Sequence, residues 1–452
     1  MVAVTQRINS YLGGVSKQSD DKMLPGQVRE CYNGFPDATY GLTKRPGFKH
    51  ITNLGTGTTY DDGKWFYIRR DDDEEYVGVI KGTSINIWNA VSGNTCTVTY
   101  PDGTGYLGTT KDNYKIITVQ DTSIIINSSV TVGQQAAPTF TPHLKASIEV
   151  QYVTSSTTYT VEIKINGVTQ TATYTTPSSA DVNTILTDLE TDINAMTGDH
   201  AQITVTKLAN SLELSSTIAM DIHAEGGVDN KGMTVVEDEV ATVSDLPIKS
   251  IHGRIVKIVN TNSTSDTYWA KFEAHDGVSG EGYWEETINP GVSPGLDTAT
   301  MPHELINTAV DTFVFRKIGY ENRLVGDNDT NPHPSFYNNT ISAGFFHNNR
   351  LGFLSKDNVI MSQSGDFYNF YFKSAQFAIN SDPIDISCSS TKPTSLQAVI
   401  PTAQGIILFS ENQQFIMFAD AGVLVPGLTA IRIISNYEMD KRVEPVDSGT
   451  YI

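Results

Sequence analysis

The feature that most constrains the fold of this chain is a set of short apolar runs joined by tight turns, seen best between residues 344 and 372. The turns are rich in Asn and Asp, which tolerate left-handed backbone conformations. Strands this short, joined by two or three residues, can only be antiparallel neighbours. The stretch therefore predicts a β-meander. Its three runs cover residues 345–346, 351–354 and 359–361.

The same pattern recurs three more times along the chain. Hairpins that are each too small to bury a core must stack on one another. A β-propeller with four strands per blade achieves this stacking, so we predict a mainly β, multi-domain chain with a propeller built from meander hairpins. A β-sandwich with similar hairpins is the alternative. The three further hairpins pair residues 65–70 with 76–80, 115–119 with 123–127, and 406–409 with 414–418.

Several longer motifs accompany the meander in a fixed order. Together with it they resemble the nozzle family, or tail tubular protein B family, of T7-like short-tailed bacteriophages. The resemblance covers the whole chain apart from one weakly matching insert. The motifs are LGGVSKQSD (12–20), GLTKRPGF (41–48), YWEETINPGV (283–292), ATMPHELI (299–306), RLVGDNDTNPHPSF (323–336), FFHNNRLGFLSKDNVIMSQSGDFYNF (345–370), DPID (382–385) and LFSENQQFIMF (408–418).

The resemblance implies a structural virion protein of a podovirus tail and not an enzyme. It implies a ring of six copies below the adaptor ring (tail tubular protein A), with tail fibres attached at the junction of the two rings. The ring would form the distal DNA-ejection channel and conduct double-stranded DNA without binding it specifically. The protein would be assembled in the host cytoplasm and reside in the phage tail.

Family members are considerably longer than this chain, and residues 447–452 predict a turn that opens into an uncontinued strand. We therefore expect the sequence to be truncated at its C-terminus. Two other functions stay open on sequence alone. One is a tail-associated propeller that binds a host glycan or another receptor, for which Trp269, Tyr283 and Trp284 would supply an aromatic cluster. The other is a depolymerase, which would need two carboxylates facing each other across a sugar.

The chain carries 31 basic and 51 acidic residues, a net charge of −20. That balance argues against a nucleic-acid reader, because phosphate binding depends on clustered Lys and Arg. Outside the first fifty residues the net charge is −23, so we expect an acidic channel wall. Cys31, Cys96 and Cys388 fit neither a disulfide framework nor a zinc site. No run of ~18 apolar residues occurs, which predicts no membrane-spanning segment.

Composition and pattern divide the chain into five parts. The first part is basic, with seven Lys or Arg against four acidic residues, and is expected to lie across another subunit, the adaptor or its own domain. The five parts are an irregular N-terminal arm (1–50), a first part of the propeller or platform (51–140), an inserted α+β module (141–246), a β-rich platform segment (247–310) and later propeller blades (311–452).

The inserted module has its own secondary-structure pattern. A helix over residues 181–196 is predicted, with Ile185, Leu189, Ile193 and Met196 on one face. The module holds four lysines and fifteen acidic residues, so we expect a solvated position, at the periphery of the ring or facing the channel. Its predicted strands are residues 147–153, 159–165, 168–174, 201–208 and 211–216.

Four motifs resemble functional sites, and we predict no catalytic, cofactor-binding or metal-binding residue in any of them. The GxGxxG at residues 103–108 is followed by a strand pattern and not by the helix that a dinucleotide site needs. Glu285 and Glu286 are neighbours and point to opposite faces of a strand. His303-Glu304 lacks the second histidine of a zinc-hydrolase motif.

The fourth motif starts like a calcium loop, with Asp327, Asp329 and Asn331 at alternate positions. Pro332 replaces the glycine that such a loop needs, and no closing Glu follows. The sequence therefore favours a turn braced by its own side chains.

Overall fold

The computed structural model describes residues 10–55, 57–71, 73–259, 267–419, 423–440, 443–447 and 452. Within these residues the chain has thirty β-strands in eight sheets and one α-helix. The prediction of a mainly β chain is therefore confirmed. The strand expected to open within residues 447–452 falls largely outside the described residues.

Eight strands precede the inserted module, and the module itself adds strands on both sides of one helix. Before the insert lie β1 (Gly34–Asp37), β2 (Gly41–Lys44), β3 (Lys64–Arg69), β4 (Glu75–Lys81), β5 (Ser84–Asn89), β6 (Thr97–Thr99), β7 (Tyr114–Val119) and β8 (Thr122–Asn127). Next come β9 (Lys145–Val150), β10 (Thr158–Ile165), β11 (Val168–Thr175), α1 (Val182–Asn194), β12 (Thr204–Lys207), β13 (Ser211–Ser215), β14 (Asp221–Glu225), β15 (Met233–Val236) and β16 (Glu239–Val240).

The rest of the described chain is built from strands. They are β17 (Lys249–Ile251), β18 (Ile255–Ile258), β19 (Tyr268–Ala274), β20 (Ser279–Thr287), β21 (His303–Ala309), β22 (Thr312–Lys317), β23 (Ala343–His347), β24 (Arg350–Ser355), β25 (Asn358–Met361), β26 (Ile384–Ser387), β27 (Leu396–Thr402), β28 (Gly405–Ser410), β29 (Gln414–Ala419) and β30 (Thr429–Ser435). Short 3-10 helices cover Lys111–Asn113, Gly198–Gln202, Val228–Asn230 and Val243–Asp245.

Four sheets contain the hairpins that the sequence predicted. Sheet I is β3-β4-β5, sheet II is β7-β8-β21-β22-β6, sheet III is β23 to β26 and sheet IV is β27 to β30. All four predicted hairpins are present, with strand bounds within two residues of the prediction. Sheet II joins β8, which precedes the insert, to β21, which follows it, with Ile125 opposite His303. Residues far apart in the chain are thus tied by backbone hydrogen bonds.

Apolar side chains fill the space between successive sheets. Tyr76 of sheet I packs with Phe313 of sheet II, and their rings meet edge to face at 5.0 Å. Between sheets II and III the core includes Ile126 and Phe353, and between sheets III and IV it includes Met361 and Leu408. Each interior sheet is therefore covered on both faces, which explains why its strands are apolar at successive positions.

Sheets I and III share a packing detail between their first two strands. Phe66 of β3 lies opposite Gly78 of β4, and Phe345 of β23 lies opposite Gly352 of β24. A Cβ on either glycine would come within 2.2 Å of the opposing ring. Only glycine leaves room for the ring to lie flat over the neighbouring strand, so the two sheets repeat one local design.

The inserted module folds around a single core between a three-stranded sheet (β11-β10-β14) and a four-stranded sheet (β12-β13-β9-β15). The predicted helix is confirmed as α1, and the Asp181 carboxylate caps it by accepting from the Thr184 N–H at 2.9 Å. Three of the four predicted helix-face residues, Ile185, Leu189 and Ile193, are buried in the helix. β14 and β15 were not predicted.

The platform sheet has the order β16-β18-β19-β20-β17. Residues 249–258 of the predicted β-rich platform segment form two strands and not one continuous strand. Gly253 adopts a φ of +75°, which turns the chain between β17 and β18. The two strands then occupy separate positions in the sheet, and β16 joins it through parallel pairing with β18.

Candidate functional site

The GxGxxG motif lies in the loop between β6 and β7 and is followed by a three-residue 3-10 helix. Its turn places Tyr106 in the core, where the hydroxyl accepts from the Asn127 N–H at 3.0 Å. The Tyr106 ring stacks on His303 with centroids 4.2 Å apart. The glycines therefore shape a turn that anchors an aromatic side chain.

His303 and Glu304 have separate structural partners. The His303 ring lies between Tyr106 and Phe315, and its Nδ1 is 2.8 Å from the Met301 carbonyl oxygen. Burial lowers the pKa of His303. Glu304 pairs with Arg316 at 2.6 Å. Both side chains thus hold strands together within sheet II.

Glu285 and Glu286 point to opposite faces of β20. Glu286 accepts hydrogen bonds from the Ala375 N–H at 2.7 Å and the Ser374 hydroxyl at 3.0 Å, which fixes a neighbouring turn. Glu285 lies 3.6 Å from the Lys271 ammonium on the other face. The two carboxyls therefore do not face each other across a common space.

The three aromatic residues of the receptor-binding alternative are also divided between two faces. Trp284 packs on Phe272 with ring centroids 5.2 Å apart, and its Nε1–H donates to the Pro247 carbonyl at 2.8 Å. Trp269 and Tyr283 belong to the opposite face of the same sheet, where Tyr283 is exposed. They do not form one aromatic surface with Trp284.

The calcium-like loop is built around a buried guanidinium. Arg323, 1% exposed, donates to the carbonyl oxygens of Ser293, Asp327 and Asn331 at 2.7, 2.9 and 2.8 Å. Carbonyl oxygens are ligands that calcium would use, but here an arginine of the same chain occupies them. Asn328 Oδ1 also accepts from the guanidinium, at 3.1 Å.

The Asp327 carboxylate braces the same loop from inside. It accepts from the Asp329 and Thr330 N–H groups at 3.0 Å each. Burial raises the pKa of Asp327, but these hydrogen bonds outweigh burial and hold the pKa below its ordinary value. The loop is the side-chain-braced turn that the sequence favoured.

Within the described ranges, no group of three or more His, Cys, Asp and Glu side chains could hold a metal ion. Nor does any helix of the described chain have the length and apolar character needed to cross a membrane. Cys96 and Cys388 are buried free thiols, and burial raises the pKa of each to about 12.

Sheets I to IV, which we call the four meander sheets, meet at one cleft, the central cleft. One edge strand of each sheet lines it, namely β3, β7, β23 and β27, and its volume is about 250 Å³. β3 contacts β7, β7 contacts β23 and β23 contacts β27. Glu444 and Pro445 also line the cleft.

Glu444 links two of these edge strands by charge. Its carboxylate lies 2.5 Å from the Lys115 ammonium on β7 and 3.6 Å from the Lys64 ammonium on β3. Burial raises the pKa of Glu444, but the hydrogen bond and the charges of the two lysines outweigh burial and keep the pKa below its ordinary value. The ion pair is half-exposed, with 55% of the Glu444 side chain accessible.

A second ionic junction fixes the inserted module to the platform sheet. Arg254, in the turn before β18, pairs with Glu213 of β13 at 2.7 Å, and both side chains are 1% exposed. Arg254 also donates to the Val236 carbonyl at 2.6 Å and to the Ser147 hydroxyl. Ser250 donates to Glu213 at 3.0 Å. Both buried charges are thus paired and hydrogen-bonded.

Fourteen of the fifteen acidic side chains in residues 141–246 are exposed or half-buried, and Glu213 is the buried one. This arrangement keeps the like charges of the module in water, where their repulsion is weak.

The residues that build the two junctions were not found by sequence reasoning. Lys64, Lys115 and Glu444 come from three separate parts of the chain, and Arg254 pairs with a residue 41 positions away. The only local signal was the position of Arg254 next to a turn glycine, which does not identify its partner.

Two comparisons with known proteins agree. A family model described as bacteriophage nozzle protein matches residues 1–452. The chain is 28% identical over 471 aligned positions to tail tubular protein gp12 of Escherichia phage T7, and the alignment covers 99% of this chain. The chain spans 57% of the length of that relative.

Proposed function

Since the chain belongs to the bacteriophage nozzle protein family, we propose that it is a structural component of the phage tail, located in the virion, and that it acts without catalysing a reaction. The observation that carries the proposal is the family match, which extends over all 452 residues. The similarity to a tail tubular protein along 99% of the chain supports the same conclusion.

In this proposal, copies of the chain form a ring that encloses the distal DNA-ejection channel. The ring has six copies, lies below the tail adaptor and contacts the tail fibres at that junction. The rigid wall that a channel needs is supplied by stacked sheets whose cores fill the spaces between them.

The four meander sheets are proposed to be blades of a β-propeller. Support comes from the edge strands that line the central cleft and from the cores between successive sheets. The repeated Phe–Gly packing of sheets I and III also fits a repeated blade. The division of the chain into arm, first propeller part, inserted module, platform segment and later blades belongs to the same proposal.

The channel wall is proposed to be acidic or neutral. A lysine or arginine aimed at a passing phosphate would add an attractive, salt-sensitive contact and slow the DNA. The net charge of −23 outside the first fifty residues makes an acidic wall easy to build. Passing DNA would then meet repulsion or neutral polar groups at every level of the ring.

The alternatives have less support from the geometry. A receptor-binding surface at Trp269, Tyr283 and Trp284 would need these side chains on one face, and they occupy two. A depolymerase centred on Glu285 and Glu286 would need carboxyls that face one another, and these point apart.

The test is DNA release from particles with altered channel charge. Three acidic residues at the narrowest part of the assembled ring are replaced with Lys, and three acidic residues of the outer surface are replaced in a control. We expect the channel variant to assemble but to release DNA slowly at low salt, with recovery at higher salt. Normal release by the channel variant at low salt would contradict the electrostatic part of the proposal.

A further inference from the structure

The arm, residues 10–50, exposes far more apolar surface than its length leads one to expect. Tyr32, Tyr40 and Phe48 are 81%, 80% and 88% exposed. Apolar surface concentrated in this way marks a site of interaction with another molecule. The exposed large apolar residues of the arm are Leu12, Val15, Leu24, Tyr32, Phe35, Tyr40, Leu42 and Phe48.

The arm has a defined backbone although its side chains are exposed. A bridge joins Val15 to Val28, and β1 and β2 form a hairpin. The Asp37 carboxylate closes the hairpin turn by accepting from the Thr39 and Tyr40 N–H groups at 2.7 and 2.8 Å. As far as the described residues go, the hydrogen bonds of residues 10–49 stay within the arm. It is therefore an ordered ribbon without cover from its own body.

A complementary surface lies on the outer face of sheet I. Trp65 and Tyr67 of β3 are 42% and 50% exposed there. The Trp65 ring is held in place by stacking on Trp88 at 6.2 Å and by an edge contact with Tyr60 at 5.9 Å. Residues 61–71 and 73–75, which include and adjoin these two side chains, contain six acidic and three basic residues. We call this surface the acidic aromatic face.

We propose that the arm of one copy docks on the acidic aromatic face of a neighbouring copy of this chain. Residues 10–50 carry six Lys or Arg against four acidic residues, so arm and face are complementary in charge as well as in apolar character. Each copy supplies one arm and one face, a head-to-tail contact that closes into a ring when the rotation between copies is right. This inference rests on the proposed ring, in which the arm-to-face contact would hold neighbouring copies together.

The first test compares two sets of serine substitutions in the full chain. Tyr32→Ser, Tyr40→Ser and Phe48→Ser remove exposed apolar groups of the arm. Val168→Ser, Ile248→Ser and Val278→Ser remove side chains that are 58%, 77% and 67% exposed elsewhere. We expect the arm variant to remain folded and to assemble at least tenfold more weakly in analytical ultracentrifugation. The control variant is expected to assemble like the wild type, and equal assembly of both variants would overturn the proposal.

The second test distinguishes a neighbour's arm from the chain's own arm. A Cys31→Ser chain carrying Tyr32→Cys, Tyr40→Cys or Phe48→Cys is mixed with a differently tagged Cys31→Ser chain carrying Tyr67→Cys. We expect a disulfide between the two tags for at least one arm position, and none with Val168→Cys in place of Tyr67→Cys.

A further Cys31→Ser chain carries an arm cysteine and Tyr67→Cys together. A ring that forms without a disulfide between the two tags, or a disulfide found only within single copies of this doubly substituted chain, would overturn the docking proposal and leave the ring intact. Absence of a ring in the wild-type protein would instead contradict the proposed function.

Discussion

Two ionic junctions hold this molecule together in different surroundings. Arg254 and Glu213 join the inserted module to the platform sheet with both side chains 1% exposed. Glu444 joins β3 and β7 at the central cleft through two lysines, with 55% of its own side chain in contact with solvent. The charged groups are similar in type and distance, so the difference between the junctions is mainly one of burial.

Burial decides how much each junction can contribute and what can weaken it. Removing one partner of a buried pair leaves an unpaired charge in a region of low dielectric, which costs about 3–5 kcal/mol. An exposed pair contributes about 0–1 kcal/mol and is screened by salt. The inserted module is thus fixed to the platform sheet, whereas β3 and β7 are joined at the cleft by an ion pair that higher ionic strength weakens.

The largest effect should come from breaking the buried junction. Arg254→Met leaves the Glu213 carboxylate without its charge partner, so we expect a loss of about 3–5 kcal/mol in the free energy of unfolding, measured by urea denaturation. The double variant Arg254→Met/Glu213→Leu removes both charges and should recover part of that loss. The rest should remain because the Val236 and Glu237 carbonyl oxygens lose their donor. If the single variant lost less than about 1 kcal/mol, the two junctions would be equivalent and the comparison would fail.

Arg323 tests whether a buried guanidinium contributes to stability when none of its hydrogen-bond partners is a carboxylate. Its hydrogen bonds go to three carbonyl oxygens and one amide oxygen, so Arg323→Met should leave several buried acceptors without donors. We expect a loss of about 2–4 kcal/mol in the same denaturation assay. Arg29→Met removes an arginine whose side chain is 61% exposed and whose partner Asp20 is 81% exposed, so it should cost at most about 1 kcal/mol. Equal losses for the two variants would contradict the role given to burial.

The secondary structure was largely predictable because its signals are local. Hairpin strands alternate with Asn- and Asp-rich turns, and the helix has an Asp cap and a regular apolar face, so both could be located from neighbouring residues. β27 and β30 lacked such signals. β27 contains Pro401, which has no N–H to donate, and β30 alternates only weakly between exposed and half-buried positions.

The two ionic junctions and the central cleft were much less predictable, because they are built from segments that are far apart in the sequence. The sequence placed Arg254, Lys115 and Glu444 in unrelated parts of the chain, and nothing near any of them identifies its partner. The calcium-like loop is an intermediate case. Its bracing by Asp327 was predictable from turn chemistry, but its occupation by Arg323 depends on how the loop folds back.

Burial of His333 should make the stability of the protein depend on pH. Burial, together with the charge of Arg323, lowers the pKa of His333 to about 4, below its ordinary value near 6.5. Above that ordinary value the ring is neutral in both folded and unfolded chains. Between the two values the unfolded chain binds a proton that the folded chain does not. Stability should therefore fall as the pH drops from about 6.5 to 4, by up to about 1.4 kcal/mol per pH unit.

Replacing His333 with Gln should flatten this part of the stability profile, measured by urea denaturation at several pH values. His223→Gln is the control, because the His223 side chain is 68% exposed. An unchanged profile in the His333 variant would show that burial of this ring does not govern the pH dependence.

We expect the smallest loss of stability from breaking the half-exposed junction at Glu444. Glu444→Gln removes the charge that bridges Lys64 and Lys115, and we expect a loss of no more than about 1 kcal/mol at low salt. The loss should shrink further as ionic strength rises, because the pair is half-exposed. A loss above about 2 kcal/mol that persists at 1 M salt would show that this junction behaves like the buried one.

The most direct test of the central claim is electron cryomicroscopy of the protein assembled with the tail adaptor. If the chain is a nozzle subunit, we expect a ring of six copies around an open channel. The stacked sheets should form the wall, and the side chains at the narrowest level should be mainly acidic or neutral polar. Single copies bound separately to the adaptor, or a ring whose centre is filled by packed protein in every particle class, would contradict the claim that this chain builds a conduit for DNA.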